Sequence, residues 1–236
     1  MTIAEGFQRA RRPEQKEERR QHLLATAKAA LQGGMELREL GLNELARQAQ
    51  MTKSNVYRYF ENREALLLAL LEEESELWRH ELERRLAATP RATAEQIAQA
   101  FAGASATFPL MCSVMGILPT ILEHNVSGER LATFKMGTLA LTANVARQLH
   151  GCQPAIPVED YVELMRQALG LIIGLWPLSH PCDALAQAEG IRRHHQGAPG
   201  VAARHGRHRR LAAFYRPGDA RPRSISSNAD ARSVSK

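Results

Sequence analysis

The 236-residue sequence has only three cysteines and few aromatic residues, which make up 5% of the chain. Three cysteines are too few for a disulfide framework, so we expect reduced thiols in a cytoplasmic protein. No apolar run approaches the roughly 20 residues that a membrane helix needs. The first 12 residues also lack the apolar core of a signal peptide. We therefore expect neither secretion nor a membrane partner.

Positive charge is concentrated at the two ends of the chain. Residues 1–60 hold 11 Lys and Arg against 7 Asp and Glu, whereas residues 61–191 hold 9 against 16. Residues 192–236 hold 11 against 2. Such basic ends attract a polyanion, whereas the acidic middle repels it. This distribution favours DNA binding by one part of the chain and a different function for the acidic middle. Chance variation in charge among exposed helices is the alternative.

The apolar residues recur at helical spacing, and no stretch alternates with period two over a useful length. This pattern predicts an all-α protein. We expect Gly33-Gly34 to end the first helix, Pro109 and Pro119 to interrupt the middle helices, and residues 151–154 to form a loop. The predicted helices cover residues 16–31, 43–49, 53–60, 63–87, one or two segments within 91–125, 128–149 and 158–176.

The first three helices form a helix-turn-helix pattern over residues 16–62, preceded by a flexible basic arm at residues 1–15. In such a unit the third helix lies in the major groove of DNA. Its inner face is predicted at Val56 and Phe60, with Thr52 as the capping residue. Asn and Arg side chains read bases, and hydroxyls suit phosphates. The candidate DNA-contacting residues are Thr52, Lys53, Ser54, Asn55, Tyr57, Arg58, Tyr59 and Arg63.

The segment from residue 42 to residue 66 resembles the TetR/AcrR family of bacterial repressors. The resemblance rests on Tyr57-x-Tyr59-Phe60 followed by Arg63-Glu64-x-Leu66, and it covers about residues 16–70. It implies a long linking helix and an all-α domain for ligand binding and dimerisation. It also implies a homodimer that binds a palindromic double-stranded DNA operator and releases it when a small molecule binds. Neither an enzymatic activity nor a cofactor is implied.

Two positions depart from the pattern of that family. Gly41 stands where members often have a Ser or Thr that caps the second helix, and Gln50 stands where they usually have a Gly in the turn. A Gln held at positive φ costs about 1 kcal/mol or more. We therefore expect the motif to be somewhat less stable than usual.

Residues 63–190 are predicted to form the effector-binding and dimerisation domain, with an apolar or aromatic small molecule as its effector. Ordinary core packing is the alternative for any single residue of the proposed pocket. The candidate effector-contacting residues are Phe101, Phe108, Met111, Met115, Leu118, Leu122, Phe134 and Trp176. The candidate residues of the dimer interface are Leu169, Ile172 and Ile173.

Residues 191–236 are rich in Arg, His, Ala, Gly, Pro and Ser and have too few apolar residues for a core, so we expect disorder. The resemblance implies a second dimerisation helix after Pro181, and this segment lacks the apolar period for one. A natural basic extension, a cloning remnant and a shifted reading frame all fit the composition. In each case the last apolar helix is expected to expose apolar surface or to dimerise imperfectly.

Two other function classes compete with a regulator. A basic tail would also suit a nonspecific, architectural DNA-binding protein, whose affinity should fall steeply with salt. His150-x-Cys152 and His180-x-Cys182 offer four ligands for zinc in an enzyme, although their spacing matches no known zinc signature. No other catalytic motif accompanies them. The sequence therefore favours a sequence-specific regulator without a metal.

Overall fold

The computed structural model describes residues 13–87, 89 and 91–180, and these residues belong to one compact unit. Every regular element in this part of the chain is helical, which confirms the predicted all-α class. Residues 1–12, Pro90 and the predicted tail lie outside the described residues. The elements are α1 (Pro13–Gln32), α2 (Leu42–Gln48), α3 (Lys53–Val56), α4 (Arg63–Ala87), α5 (Ala94–Thr107), α6 (Pro109–Ile117), a π-helical turn (Leu118–Leu122), α7 (Glu123–Asn125), α8 (Gly128–Cys152) and α9 (Val158–Ser179).

Helices α1, α2 and α3 share a small apolar core with the start of α4. Leu23 and Leu24 of α1, Leu45 of α2 and Val56 of α3 are all but fully buried. Helix α1 ends before Gly34, whose φ of 103° is available to glycine without steric cost. Helix α1 begins at Pro13, where a proline suits the first turn. Residues 13–15 are therefore helical, and the prediction that they belong to a flexible arm is wrong.

Helix α4 runs from Arg63 to Ala87, as predicted, and its 25 residues span about 37 Å. Its first half, residues 65–71, is buried all round because α1 packs on one side and α5, α6 and α8 pack on the others. The helix therefore belongs to the core of the first three helices and to the core of the second domain.

The segment between α4 and α8 is interrupted at Pro109 and Pro119, as the sequence predicts. Helix α5 begins with a capping box, in which Thr93 and Gln96 satisfy each other's backbone N–H groups at 3.2 and 2.8 Å. Pro109 is the first residue of α6, where its missing N–H costs nothing. Pro119 lies in the π-helical turn that separates α6 from α7.

Helices α8 and α9 pack against each other, and α9 also packs on α6. Helix α8 extends to Cys152, so the predicted loop begins only at Gln153, whose N–H still donates to the Leu149 carbonyl at 3.0 Å. Helix α9 continues past the predicted end at residue 176 and includes Pro177. A Cβ on Gly116 of α6 would lie 3.1 Å from the Pro177 ring, so the close approach of these helices depends on that glycine.

Among the described helices, none is by itself long and apolar enough to cross a membrane. Helix α5 and the segment from Pro109 to Asn125 meet that threshold of length and composition only when taken together, and they are bent by 86° at the break between them.

Candidate functional site

The turn between α2 and α3 closes as a Schellman motif. The N–H of Met51 donates to the Ala46 carbonyl at 2.9 Å, and the N–H of Gln50 donates to the Arg47 carbonyl at 3.3 Å. Gln50 has a φ of 52°, so this position holds the strained conformation that the resemblance implied. Gly41 precedes α2 in an extended conformation and gives it no side-chain cap. Both departures from the family pattern are therefore visible in the backbone.

Helix α3 is only four residues long and packs against the core through one face. Val56 is fully buried and Phe60 is 3% exposed, which confirms the predicted inner face. The helix ends at Val56 rather than at Phe60, and residues 57–59 continue as a turn in which the Tyr59 N–H donates to the Val56 carbonyl at 2.9 Å. Tyr57 therefore projects from a turn at the end of the helix, with 52% of its surface exposed.

The candidate DNA-contacting residues differ in their exposure. Thr52, Lys53, Ser54, Tyr57 and Arg58 are exposed on one surface, whereas Asn55 and Tyr59 are half-buried. Thr52 is the residue before α3, but its hydroxyl lies 3.2 Å from the Ser54 hydroxyl and caps no backbone amide. The predicted hydroxyl cap is wrong, and both hydroxyls lie at the exposed start of the helix.

The Arg63 side chain forms hydrogen bonds within the protein. Its Nε and Nη2 atoms donate to the carbonyls of Leu40 and Leu37 at 2.8 and 2.6 Å, and Nη1 lies 3.3 Å from the Glu64 carboxylate. These bonds tie the first turn of α4 to the loop before α2. We therefore revise the predicted role of Arg63 from a phosphate contact to a residue that positions the helix-turn-helix.

The loop after Phe60 connects the first three helices to the second domain. Asn62 caps α4 by accepting from the Ala65 N–H at 2.8 Å, and its Nδ2 donates to the Asn125 carbonyl at 2.6 Å. The Glu61 carboxylate accepts from the Ser127 N–H at 2.8 Å. No pattern in the sequence indicates the bonds of Asn62 to Asn125 and of Glu61 to Ser127, because the partners lie more than 60 positions apart.

A cavity of about 290 Å³ lies among α4, α5, α6, α8 and α9. Of the candidate effector-contacting residues, five line it: Phe101, Met111, Met115, Leu118 and Phe134. The residues that sequence reasoning missed are Leu71, Glu72, Ser75, Glu76, Trp78, Thr133, Gly137, Thr138, Leu141, Thr142, Met165, Leu169 and Ile172. Most of them come from α4 and α8, where helical spacing was the available signal.

Three candidate effector-contacting residues lie elsewhere. Leu122 is fully buried in the core, and Phe108 is half-buried at the junction of α5 and α6. Trp176 donates from Nε1 to the Ser113 hydroxyl at 3.0 Å and stacks on His180 with ring centroids 3.8 Å apart. None of the three is among the residues that line the cavity, so their assignment to it is corrected.

The candidate dimer-interface residues do not lie on the most exposed face of α9. Leu169 and Ile172 line the cavity, and Ile173 is half-buried. The exposed apolar residues of α9 lie on one stripe, which we call the outer stripe: Leu164, Leu171, Leu175 and Leu178. The helical spacing of these leucines does not by itself separate the outer stripe from the face that lines the cavity.

The described residues contain no cluster of three or more His, Cys, Asp or Glu suited to a metal ion. His150 uses Nδ1 in a 2.8 Å hydrogen bond with the Ile156 carbonyl. Cys182, part of the second predicted pair, lies outside the described residues. Cys112 is buried, and this burial raises the pKa of its thiol to about 11.

Two family models match the sequence. The model for bacterial regulatory proteins of the tetR family matches residues 23–70. The model for the tetracyclin repressor-like C-terminal domain matches residues 72–197, more than half of the chain. No curated protein sequence matches the chain. The two matches meet within α4, the helix shared by both cores.

Proposed function

Since this chain belongs to the TetR family and is a DNA-binding transcriptional regulator, we propose that it is a homodimeric repressor that binds a palindromic operator and releases it when a small apolar or aromatic molecule binds. The observation that carries the proposal is the exposed surface of α3 and the following turn. Lys53, Ser54, Tyr57 and Arg58 share this surface, while Val56 and Phe60 fix it to the core. Exposed donors on a rigid short helix are what groove recognition requires.

We assign phosphate contacts to Lys53 and to the hydroxyls of Thr52, Ser54 and Tyr57. Arg58 is exposed and its guanidinium is a group that can read guanine, and the half-buried Asn55 suits adenine. Tyr59 packs against the core and supports the turn from behind. Arg63 acts indirectly, through its bonds to the loop before α2.

The proposed homodimer uses the outer stripe of α9. Its four leucines are between 43% and 78% exposed. Met136 and Leu139 of the neighbouring helix α8 are also exposed. So many exposed large apolar residues on two neighbouring helices are unusual on an isolated subunit and suit an interface between copies. Two-fold symmetry would place two α3 helices on successive turns of DNA, about 34–36 Å apart.

The proposed effector site is the cavity among α4, α5, α6, α8 and α9. Apolar side chains form most of its wall, three of them aromatic and three of them methionine, which suits an apolar or aromatic molecule. Helix α4 lines the cavity and also packs against α1. A ligand that changes the position of α4 thus alters the spacing of the two α3 helices, and the coupling works in both directions.

Selection of bound duplexes from random DNA by the full chain tests this proposal. We expect enrichment of an inverted repeat, and light scattering of the protein on a sizing column should give the mass of a dimer. Enrichment of no sequence would contradict the proposal, particularly if the affinity fell steeply with salt for every duplex, as a purely electrostatic binder requires.

A further inference from the structure

The charge of the cavity wall restricts the ligand that it accepts. The titratable residues among those that line it are Glu72 and Glu76, and none of the described lining residues is Lys, Arg or His. A buried carboxylate or phosphate on a ligand would lose its hydration and find no cation of the wall to pair with. The wall therefore disfavours anionic ligands.

The two glutamates differ in their partners. Glu76 is paired outside the cavity with Arg79 at 2.9 Å, and more than half of its side chain is exposed. Glu72 makes a two-pronged ion pair with Arg130 of α8, at 2.9 and 2.7 Å. The Glu72 side chain is 35% exposed and that of Arg130 is 20% exposed. Glu72 is thus the less solvated of the two carboxylates that the cavity offers.

Glu72 also forms part of the wall of a second cavity, of about 390 Å³, on the side of the helix-turn-helix. Thr133 lines both cavities as well. Arg20, Tyr59, Phe60 and Arg130 line only the second. The ion pair between Glu72 and Arg130 therefore lies at the boundary between the effector cavity and the back of the DNA-binding surface.

The first turn of α8 carries Arg130 and the contacts to the helix-turn-helix. Ser127 caps this turn by accepting from the Arg130 N–H at 3.3 Å, and its own N–H donates to Glu61 at 2.8 Å. The Asn125 carbonyl, two residues earlier, accepts from Asn62. Phe60, next to Glu61, is a buried anchor of the DNA-binding core. Release of Arg130 from α4 would remove one of the three polar contacts that, among the described residues, join this region to α4 and to the loop before it.

A buried hydroxyl adds a second polar group to the effector cavity near Glu72. Ser75 lies one turn further along α4, is 7% exposed and has no hydrogen-bond partner among the described residues. Trp78 and Phe101, which contact edge to face at 5.2 Å, form the aromatic wall beside it. A carboxylate, a free hydroxyl and aromatic rings together suit an ammonium group.

We propose that the effector is an aromatic or apolar cation, and that its charged group takes Glu72 away from Arg130 and so weakens DNA binding. The inference rests on the proposed ligand-released function. Since a ligand cation and Arg130 would share the single negative charge of Glu72, ligand binding and the Arg130 pair oppose each other. The freed first turn of α8 then shifts with Glu61 and Asn62 at the end of the DNA-binding unit.

Matched ligands test the charge preference. Calorimetric titration of the full chain uses three headgroups on one skeleton, namely phenylbutylammonium, phenylbutanol and phenylbutyrate, and repeats the set with benzyl analogues. We expect the ammonium compounds to bind roughly tenfold more tightly than the alcohols, because charge-assisted bonds are the stronger ones. The carboxylates should bind worst. Ammonium compounds should also release a duplex that the protein selects from random DNA.

Two variants test the role of the ion pair. Glu72→Gln keeps the size of the side chain and should remove the preference for ammonium over alcohol. Glu73→Gln, the same change on the next residue and outside both cavities, should keep that preference. Arg130→Met removes the competing cation, so ammonium affinity should rise while ligand-free DNA affinity falls. Circular dichroism shows whether Glu72→Gln folds. If it does not, Arg130→Met and the headgroup series each test by themselves whether a ligand cation competes with Arg130 for Glu72.

The inference is wrong if no ammonium compound binds, if the alcohols bind and release DNA equally well, or if Arg130→Met leaves ammonium affinity unchanged. These results differ from a failure of the proposed function. That function is judged by the ligand-free protein, through its preference for a selected inverted repeat over random duplexes.

Discussion

Replacing Gln50 by glycine should stabilise the protein, because Gln50 is a side-chain-bearing residue at a φ of 52° in the turn that orients α3. The side chain is exposed, and it makes no hydrogen bond to another described residue. The backbone bonds of the Schellman motif, from Gln50 to Arg47 and from Met51 to Ala46, do not depend on it. The substitution thus changes the strain of the turn and little else.

The size of the effect follows from two opposing terms. Relief of the left-handed conformation contributes about 1–2 kcal/mol, and the greater freedom of glycine in the unfolded chain costs about 0.4–1 kcal/mol. The net gain then lies between about 0 and 1.6 kcal/mol with a centre near about 0.8 kcal/mol, and for a protein of this size that central value raises Tm by about 2–3 °C.

Gln48→Gly is the matched control, because it makes the same substitution inside α2, two positions earlier. It should destabilise the protein by about 1 kcal/mol and also removes a 2.8 Å hydrogen bond to Glu44. Thermal unfolding followed by circular dichroism measures both variants. The reasoning would be refuted if Gln50→Gly lowered Tm as Gln48→Gly does, since the turn would then not need a left-handed residue.

Three further predictions concern other parts of the molecule. Arg63→Ala should lower the free energy of unfolding by about 1–3 kcal/mol in denaturant titration, because it removes charged donors from the carbonyls of Leu37 and Leu40; an unchanged stability would show that those bonds contribute nothing. Leu171→Asp should convert the dimer to a monomer in sedimentation, whereas Leu77→Asp on the exposed side of α4 should not, and a dimer that survives both changes would exclude the outer stripe as the interface. Cys112 should resist iodoacetamide at pH 8, since a pKa of about 11 leaves about one thiol in a thousand ionised, and its labelling should rise about tenfold per pH unit up to that pKa, as peptide mass spectrometry can measure. Rapid labelling of native Cys112 at pH 8 would contradict its burial.

The local pattern of the sequence was sufficient for most helices and for the recognition surface. The bounds of α4 were predicted as they occur, because its apolar residues recur at helical spacing over the whole length of the helix. Val56 and Phe60 follow helical spacing, so their burial and the opposite exposure of Lys53 and Tyr57 could be deduced. The end of α3 was predicted four residues too late, since nothing in those residues separates a helix from a tight turn.

Contacts between distant parts of the chain could not be predicted. The Glu72–Arg130 pair joins residues 58 positions apart, and the bonds from Arg63 reach back 23 and 26 positions. The sequence around Arg63 would be the same whether its side chain contacted a DNA phosphate or a backbone carbonyl of the protein. For the same reason the two apolar faces of α9 could not be assigned, because both have leucine or isoleucine at helical spacing.

The most direct measurement is the affinity of the full chain for a selected operator and for a scrambled duplex of equal length, by fluorescence anisotropy at fixed salt. We expect wild-type protein to prefer the operator strongly, and Lys53→Ala and Tyr57→Ala each to weaken operator binding about tenfold or more without lowering Tm. Arg147→Ala, which removes an exposed charge from α8, should leave it unchanged. Operator affinity that survives both changes in α3 and its turn, or equal affinity of wild-type protein for the two duplexes, would contradict DNA recognition by this surface.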